Sequence, residues 1–158
     1  TDTKREIMET FYRALDLCGE ESTVQLEDDI ILTKDFYCKI MKVISENPND
    51  VIQFFSMRKD DLTIGTRYIN GSKFMMNQCY YLPKGMAKHF LEWKDRTNIK
   101  DRQDVVNGAG YDILMSEYFK EHKIKYLNYC PNLVDHCVCK SLIDGRRSSK
   151  RQSLTFME

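Results

Sequence analysis

The chain has 158 residues, of which 42% are hydrophobic and 30% are charged, so it is long enough to bury the core of a single domain. Its 24 basic and 24 acidic residues balance, which argues against binding nucleic acid or an anionic membrane through overall charge. No apolar run approaches the roughly 20 residues that cross a bilayer, and no secretory signal is recognisable. We therefore expect a cytoplasmic protein without a membrane-spanning segment.

In the first half of the chain, the apolar periodicity predicts alternating helices and strands. A capping box at residues 3–6 opens a helix that Gly19 ends, and residues 23–26 form a short strand. Thr33 then caps a second helix, and residues 51–55 form a buried strand. This alternation is typical of an α/β protein. The expected buried face of the second helix carries Phe36, Ile40 and Ile44.

In the second half, residues 64–82 predict a β-hairpin whose two-residue turn is Asn70-Gly71. A helix follows Pro83, another begins at Tyr111, and a strand covers residues 124–127. Residues 131–136 are the last segment that we expect to be ordered. We therefore divide the chain into a domain at residues 1–140 and a flexible basic tail at residues 141–158.

The six cysteines are irregularly spaced, and two of them fall in helix-like segments. A chain of this size does not need disulfides, so we expect mostly reduced, buried side chains. A zinc site is the alternative for the one close group, Cys130, His136, Cys137 and Cys139. That group lacks the paired Cys-x2–4-Cys spacing of structural zinc sites, which makes zinc the less favoured interpretation.

Three adjacent carboxylates, Glu27, Asp28 and Asp29, separate two apolar runs. They follow a predicted strand, and open α/β sheets bind ligands at the carboxyl ends of their strands. A divalent cation would relieve the repulsion among them and bridge to anionic oxygens of a ligand. In extended backbone Glu27 and Asp29 point the same way and Asp28 points opposite. A solvated acidic turn is the alternative, but charge placed between two core segments disfavours it.

The order of these segments resembles that of a GT-A-type glycosyltransferase, closest to the small bacterial and phage enzymes with Glu-Asp-Asp in place of Asp-x-Asp. A helix and a strand precede the triplet, and residues 77–85 open a later helix. Residues 110–112 stand at a helix start, and residues 131–136 precede an Arg/Ser-rich end. The resemblance covers roughly residues 1–156 and implies a mixed sheet flanked by helices.

Enzymes of the GT-A type normally begin with a strand-helix-strand unit that holds the nucleotide base. The resemblance places the first helix of this chain after that unit. We therefore expect an N-terminally truncated form of that fold. The missing strands would belong to a longer protein, come from a partner or a second copy, or be absent from a reduced form. Without them, one edge of the sheet would be open to pairing.

The resemblance implies a metal-dependent enzyme that transfers a sugar from a nucleotide-sugar, in the first instance a UDP-sugar, to a hydroxyl acceptor such as a saccharide. It assigns Mn²⁺ or Mg²⁺ to Asp29, Glu27 and His136, and contacts to the nucleotide to Glu27 or Asp28. The cation would act as a Lewis acid on the departing nucleoside diphosphate.

The resemblance also implies an acidic residue near the acceptor, and Asp112 occupies that place as a general base. A helix cap is an equally compatible role for Asp112, and Asp104 is a weaker substitute as base. Arg146 and Arg147 would neutralise the charge of the leaving group, although a solvated basic tail fits the sequence equally well.

Two other classes of protein remain open on the sequence. One is a non-catalytic α/β module that binds a partner through its unpaired sheet edge. The other is a metal-dependent phosphoryl-transfer enzyme or nuclease that uses the acidic cluster. A nucleic-acid acceptor, such as a modified base in phage DNA, is disfavoured by the balanced charge.

Overall fold

The structure, a computed structural model, describes residues 3–61, 63–75, 78–97, 111–138 and 152–157. These residues form a mixed α/β fold with a five-stranded sheet flanked by helices and a separate two-stranded sheet. The α/β class predicted from the alternating periodicity is therefore confirmed. No helix within these ranges is long and apolar enough to cross a membrane.

Helices are separated by groups of two or three strands along most of the described chain. The predicted strand at residues 23–26 has the expected bounds. The elements in chain order are α1 (Thr3–Cys18), β1 (Thr23–Leu26), β2 (Ile30–Leu32), α2 (Phe36–Glu46), β3 (Val51–Gln53), β4 (Gly65–Asn70), β5 (Cys79–Leu82), α3 (Met86–Arg96), α4 (Tyr111–Glu121), β6 (Lys125–Cys130) and β7 (Val134–His136).

The large sheet has the strand order β1-β5-β3-β6-β4, with β1 and β4 at its edges. Strands β3 and β6 are parallel, and the other neighbours are antiparallel. Strand β2 leaves this sheet and pairs antiparallel with β7, which places Ile30 opposite His136. This pairing brings segments that are far apart in the chain together beside the acidic triplet.

The central strands β3, β5 and β6 bury side chains on both faces of the large sheet, whereas the edge strands β1 and β4 are more exposed. Successive strand residues point to opposite faces, so each central strand contributes to two cores. On one face, the core includes side chains from α1, α3 and α4, and Phe74 makes edge-to-face contacts with Tyr80, Phe119 and Tyr126. On the other face, the core includes Tyr81 and side chains from α2. The sheet is thus a central layer that fixes the ends of β1 and β5.

The predicted hairpin at residues 64–82 is wrong. Strand β4 pairs with β6, whereas β5 pairs with β1 and β3. Asn70 and Gly71 instead lead into a 3₁₀ turn, Gly71–Lys73, in which the Asn70 side chain accepts a hydrogen bond from the Ser72 amide. Gly71 is needed here for close packing, since a Cβ built on it would lie 2.3 Å from the Phe119 Cβ.

The predicted cap of α2 is also wrong. The helix begins at Phe36, and its N-cap is Asp35 in the left-handed region at φ 57°. The Thr33 hydroxyl donates instead to the Met157 carbonyl oxygen at 2.7 Å. This hydrogen bond attaches the end of the described chain to the segment that precedes α2. The buried positions of α2 are Ile40 and Val43, whereas Phe36 and Ile44 are only partly buried.

Residues 152–157 dock beside β7. The Ser153 amide donates to Asp135 Oδ1 at 2.7 Å, and the Asn132 amide donates to Thr155 Oγ1 at 3.1 Å. This segment falls inside the tail that the sequence predicts to be flexible, and here it is hydrogen-bonded to the core. The division of the chain at residue 140 stays a prediction.

Candidate metal centre

The acidic triplet is held by backbone hydrogen bonds at both of its ends. The Glu27 amide donates to the Gln78 carbonyl oxygen at 3.1 Å, which continues the β1–β5 ladder by one residue. At the other end, the Cys137 amide donates to the Asp29 carbonyl oxygen at 2.9 Å, beside the β2–β7 pair. The triplet therefore bridges the two sheets, and Asp28 between these anchors is exposed.

Glu27, Asp29 and His136 come together at this bridge. Each offers one ligand atom, and the three atoms lie within 4.8 Å of one another. His136 Nδ1 lies 3.4 Å from Asp29 Oδ2, and the His136 ring packs edge-on against Phe55. The His136 side chain is 2% exposed and that of Asp29 is 38% exposed, so the cluster opens to solvent on the Asp29 side.

Buried polar atoms in this cluster lack hydrogen bonds within the described part of the chain. They are Asp29 Oδ1 and both ring nitrogens of His136. Buried polar atoms are nearly always paired in folded proteins, because leaving them unpaired costs free energy. A divalent cation would satisfy them, and carboxylate oxygens with one imidazole nitrogen are suitable ligands for it.

Two further side chains hold the Glu27 carboxylate. The Tyr111 hydroxyl donates to Glu27 Oε1 at 2.5 Å, and the Gln78 amide donates to Oε2 at 3.0 Å. Burial raises the pKa of Glu27, the nearby charge of Asp29 adds to the rise, and the two hydrogen bonds oppose it. Burial, and then the negative charge of Glu27, raises the pKa of Tyr111, so its hydroxyl remains a donor at neutral pH.

Sequence reasoning did not identify Tyr111 or Gln78 as partners of Glu27. Gln78 lies within the segment at residues 77–85 that carried the resemblance, but no spacing rule connects an amide there with the triplet. Tyr111 is separated from Glu27 by 84 positions. The only signal was its place beside the candidate base Asp112.

Asp112 lies in the first turn of α4, where its charge is favourable to the helix dipole. Its Oδ1 accepts a hydrogen bond from the Ile113 amide at 3.0 Å. Its neighbour Tyr111 contacts Glu27 of the candidate cluster, so Asp112 stands one residue away from that contact. Its role as a base stays a prediction, and Asp104, Arg146 and Arg147 lie outside the described residues.

The zinc interpretation finds no support in the part of the chain that the structure describes. There the group able to hold a metal ion joins His136 to two carboxylates and includes no cysteine. Cys130 is a buried free thiol, and Cys137 is half-buried. Cys18, Cys38 and Cys79 are also free thiols, as the sequence predicted. The predicted burial holds for Cys79 but not for Cys18, which is half-buried, or Cys38, which is exposed. Cys139 lies outside the described residues.

We expect Glu27→Gln to raise the melting temperature of the metal-free protein by a few degrees at pH 7. The folded state raises the pKa of this carboxyl, so its ionised form destabilises the fold above that pKa. The new amide can still accept from Tyr111 and can donate to Gln78 Oε1, which has no partner among the described residues.

The gain should shrink as the pH falls through the raised pKa and vanish below the ordinary glutamate range. Thermal melts with a chelator at pH 7 and pH 4 measure it, with the exposed Glu21→Gln as the control. A gain of equal size at both pH values would contradict the assigned cause.

Comparisons of the chain with protein-family models, with curated proteins and with solved structures found no match. Fold and site together define a mixed α/β protein with a candidate site for a divalent cation.

Proposed function

We propose that the chain is a metal-dependent glycosyltransferase of the GT-A type, which transfers a sugar from a nucleotide-sugar to a hydroxyl acceptor. The observation that carries the proposal is the cluster of Glu27, Asp29 and His136, with its buried, unpaired ligand atoms. These are the residues that the resemblance assigned to the metal, and His136 lies far along the chain from the two carboxylates.

In this proposal, Asp29, Glu27 and His136 would hold Mn²⁺ or Mg²⁺. The bound cation would neutralise the diphosphate of the donor, a UDP-sugar in the first instance. Asp112 takes the proton of the acceptor hydroxyl as its oxygen bonds to the anomeric carbon and the bond to the diphosphate breaks. A saccharide is the favoured acceptor, because the chain has no net charge for attracting nucleic acid.

We expect UDP and inorganic pyrophosphate each to bind in calorimetric titrations with Mn²⁺ and not with a chelator. Pyrophosphate is included because it needs no element that holds the nucleotide base. Binding should be lost in His136→Ala, which removes a ligand nitrogen, and kept in His89→Ala, which changes an exposed histidine on α3.

Several outcomes would contradict the proposal. If neither ligand binds with or without Mn²⁺, a non-catalytic α/β module becomes the better interpretation. If Mn²⁺ binds and the protein cleaves phosphodiesters without needing a nucleotide-sugar, the cluster belongs to a phosphoryl-transfer enzyme. Equal loss of binding in both histidine variants would show that the effect is not specific to the cluster.

A further inference from the structure

We propose that Tyr111 is a positioning residue of the metal centre, which together with Gln78 holds the Glu27 carboxylate toward Asp29 and His136. The inference rests on the cation site of the proposed function but not on sugar transfer.

Tyr111 and Gln78 form hydrogen bonds with different oxygens of the Glu27 carboxylate. Tyr111 donates to Oε1 at 2.5 Å and Gln78 donates to Oε2 at 3.0 Å. Rotation of the carboxylate about its last bond would therefore break both hydrogen bonds. Each carboxylate oxygen has a second lone pair, so both donors leave Glu27 able to bind a cation.

The donors themselves are fixed by the surrounding fold. The Tyr111 ring stacks on the buried Phe11 ring of α1, with centroids 4.3 Å apart and planes 17° from parallel. Gln78 is 7% exposed, and its carbonyl oxygen accepts from the Glu27 amide. The position of the carboxylate is thus set jointly by α1, α4 and the start of β5.

Holding the Glu27 carboxylate in place matters in a site that contains two carboxylates. Glu27 and Asp29 repel each other when no cation is bound, and a mobile Glu27 would turn away toward water. Donors on both Glu27 oxygens oppose that movement and keep the ligand atoms within the 4.8 Å cluster. Partners of this kind around a metal ligand typically contribute about 10–100-fold to metal affinity.

The test is a titration with Mn²⁺ in the absence of nucleotide. Binding is measured as the loss of the free-ion signal in electron paramagnetic resonance. Tyr111→Phe keeps the ring on Phe11 and removes only the hydroxyl, so we expect the Kd for Mn²⁺ to rise about 10–100-fold. The melting temperature of the metal-free protein should stay within a few degrees of wild type.

Tyr81→Phe is the matched control. Tyr81 also uses its hydroxyl as a hydrogen-bond donor, to the Pro48 carbonyl oxygen at 2.8 Å. Its side chain is buried in the core on the other face of the sheet. This variant should bind Mn²⁺ as wild type does. An unchanged Kd in Tyr111→Phe, or an equal rise in Tyr81→Phe, would overturn the inference.

A second variant keeps the test decisive if Tyr111→Phe lowers the melting temperature substantially. Gln78→Met removes the donor to the other Glu27 oxygen, and a rise in Kd there supports the positioning role whereas no rise overturns it. Wild-type protein that binds no Mn²⁺ would refute the site and this inference together. Mn²⁺ binding that depends on Tyr111, without binding of UDP or pyrophosphate, would refute the transferase alone.

Discussion

Replacing Asp29 by asparagine is expected to weaken Mn²⁺ binding by at least about 100-fold while the metal-free fold remains intact. Asp29 contributes a ligand oxygen to the cluster, and its Oδ1 is buried without a hydrogen bond in the described structure. Changes to residues that merely support a ligand typically cost about 10–100-fold in affinity, so loss of a charged ligand should cost at least as much. Calorimetric titration with Mn²⁺ measures the effect.

Asp29→Asn should weaken Mn²⁺ binding but should not destabilise the metal-free protein. The charge of Asp29 contributes to the raised pKa of Glu27, so removing it relieves repulsion between the two carboxylates. The melting temperature with a chelator should be equal to or above that of wild type. Saturating Mn²⁺ should raise the melting temperature of wild type, because it binds only the folded state, and should not raise that of Asp29→Asn.

Asp28→Asn is the matched control, because Asp28 is the adjacent carboxylate and is exposed. It should change neither Mn²⁺ affinity nor the response of the melting temperature to Mn²⁺. If Asp28→Asn weakened binding as much as Asp29→Asn, the triplet would attract cations only through its total charge, and the cluster with His136 would not be a site.

Gly71→Ala is expected to destabilise the fold by about 3 kcal/mol or more, near or above the upper end for an overpacked core. The added Cβ would lie 2.3 Å from the Phe119 Cβ and 2.4 Å from the Ile124 carbonyl oxygen. One contact is with backbone and the other lies next to it, so relief requires α4 to move away from the sheet. Urea denaturation gives the change in the free energy of unfolding.

The neighbouring exposed residue supplies the comparison, since Ser72→Ala should change stability by less than about 0.5 kcal/mol. Because α4 begins with Tyr111, a folded Gly71→Ala protein should also bind Mn²⁺ more weakly than wild type. A cost as small as that of Ser72→Ala would mean that Gly71 does not approach α4 as closely as described.

The grouping of Glu27, Asp29 and His136 was predicted partly from the geometry of extended backbone and partly from the resemblance. Alternation in extended backbone separates Glu27 and Asp29 from Asp28, and the structure shows that separation. His136 could be added only because of its place in the resembled family. Nothing in the residues around it indicates that β7 pairs with β2, since that register is a long-range contact.

The errors have a common physical origin, which is that long-range contacts overrode local signals. Asn70-Gly71 is a strong local signal for a hairpin turn. Gly71 instead packs tightly against Phe119, and no hairpin forms there. Thr33 is a good helix cap by type, yet its hydroxyl bonds to Met157. The Tyr111–Glu27 hydrogen bond joins positions too far apart in the chain for any periodicity to indicate.

The pairing of β2 with β7 has a consequence for how the chain holds itself together. Asp29 and His136 are separated by roughly a hundred residues, so a shared ligand would act as a reversible cross-link across most of the domain. The two-stranded sheet beside them is small, and Ile31 and Leu32 remain exposed on it. A bound cation would therefore suppress the separation of β2 from β7, and removing it would let this sheet open before the larger one.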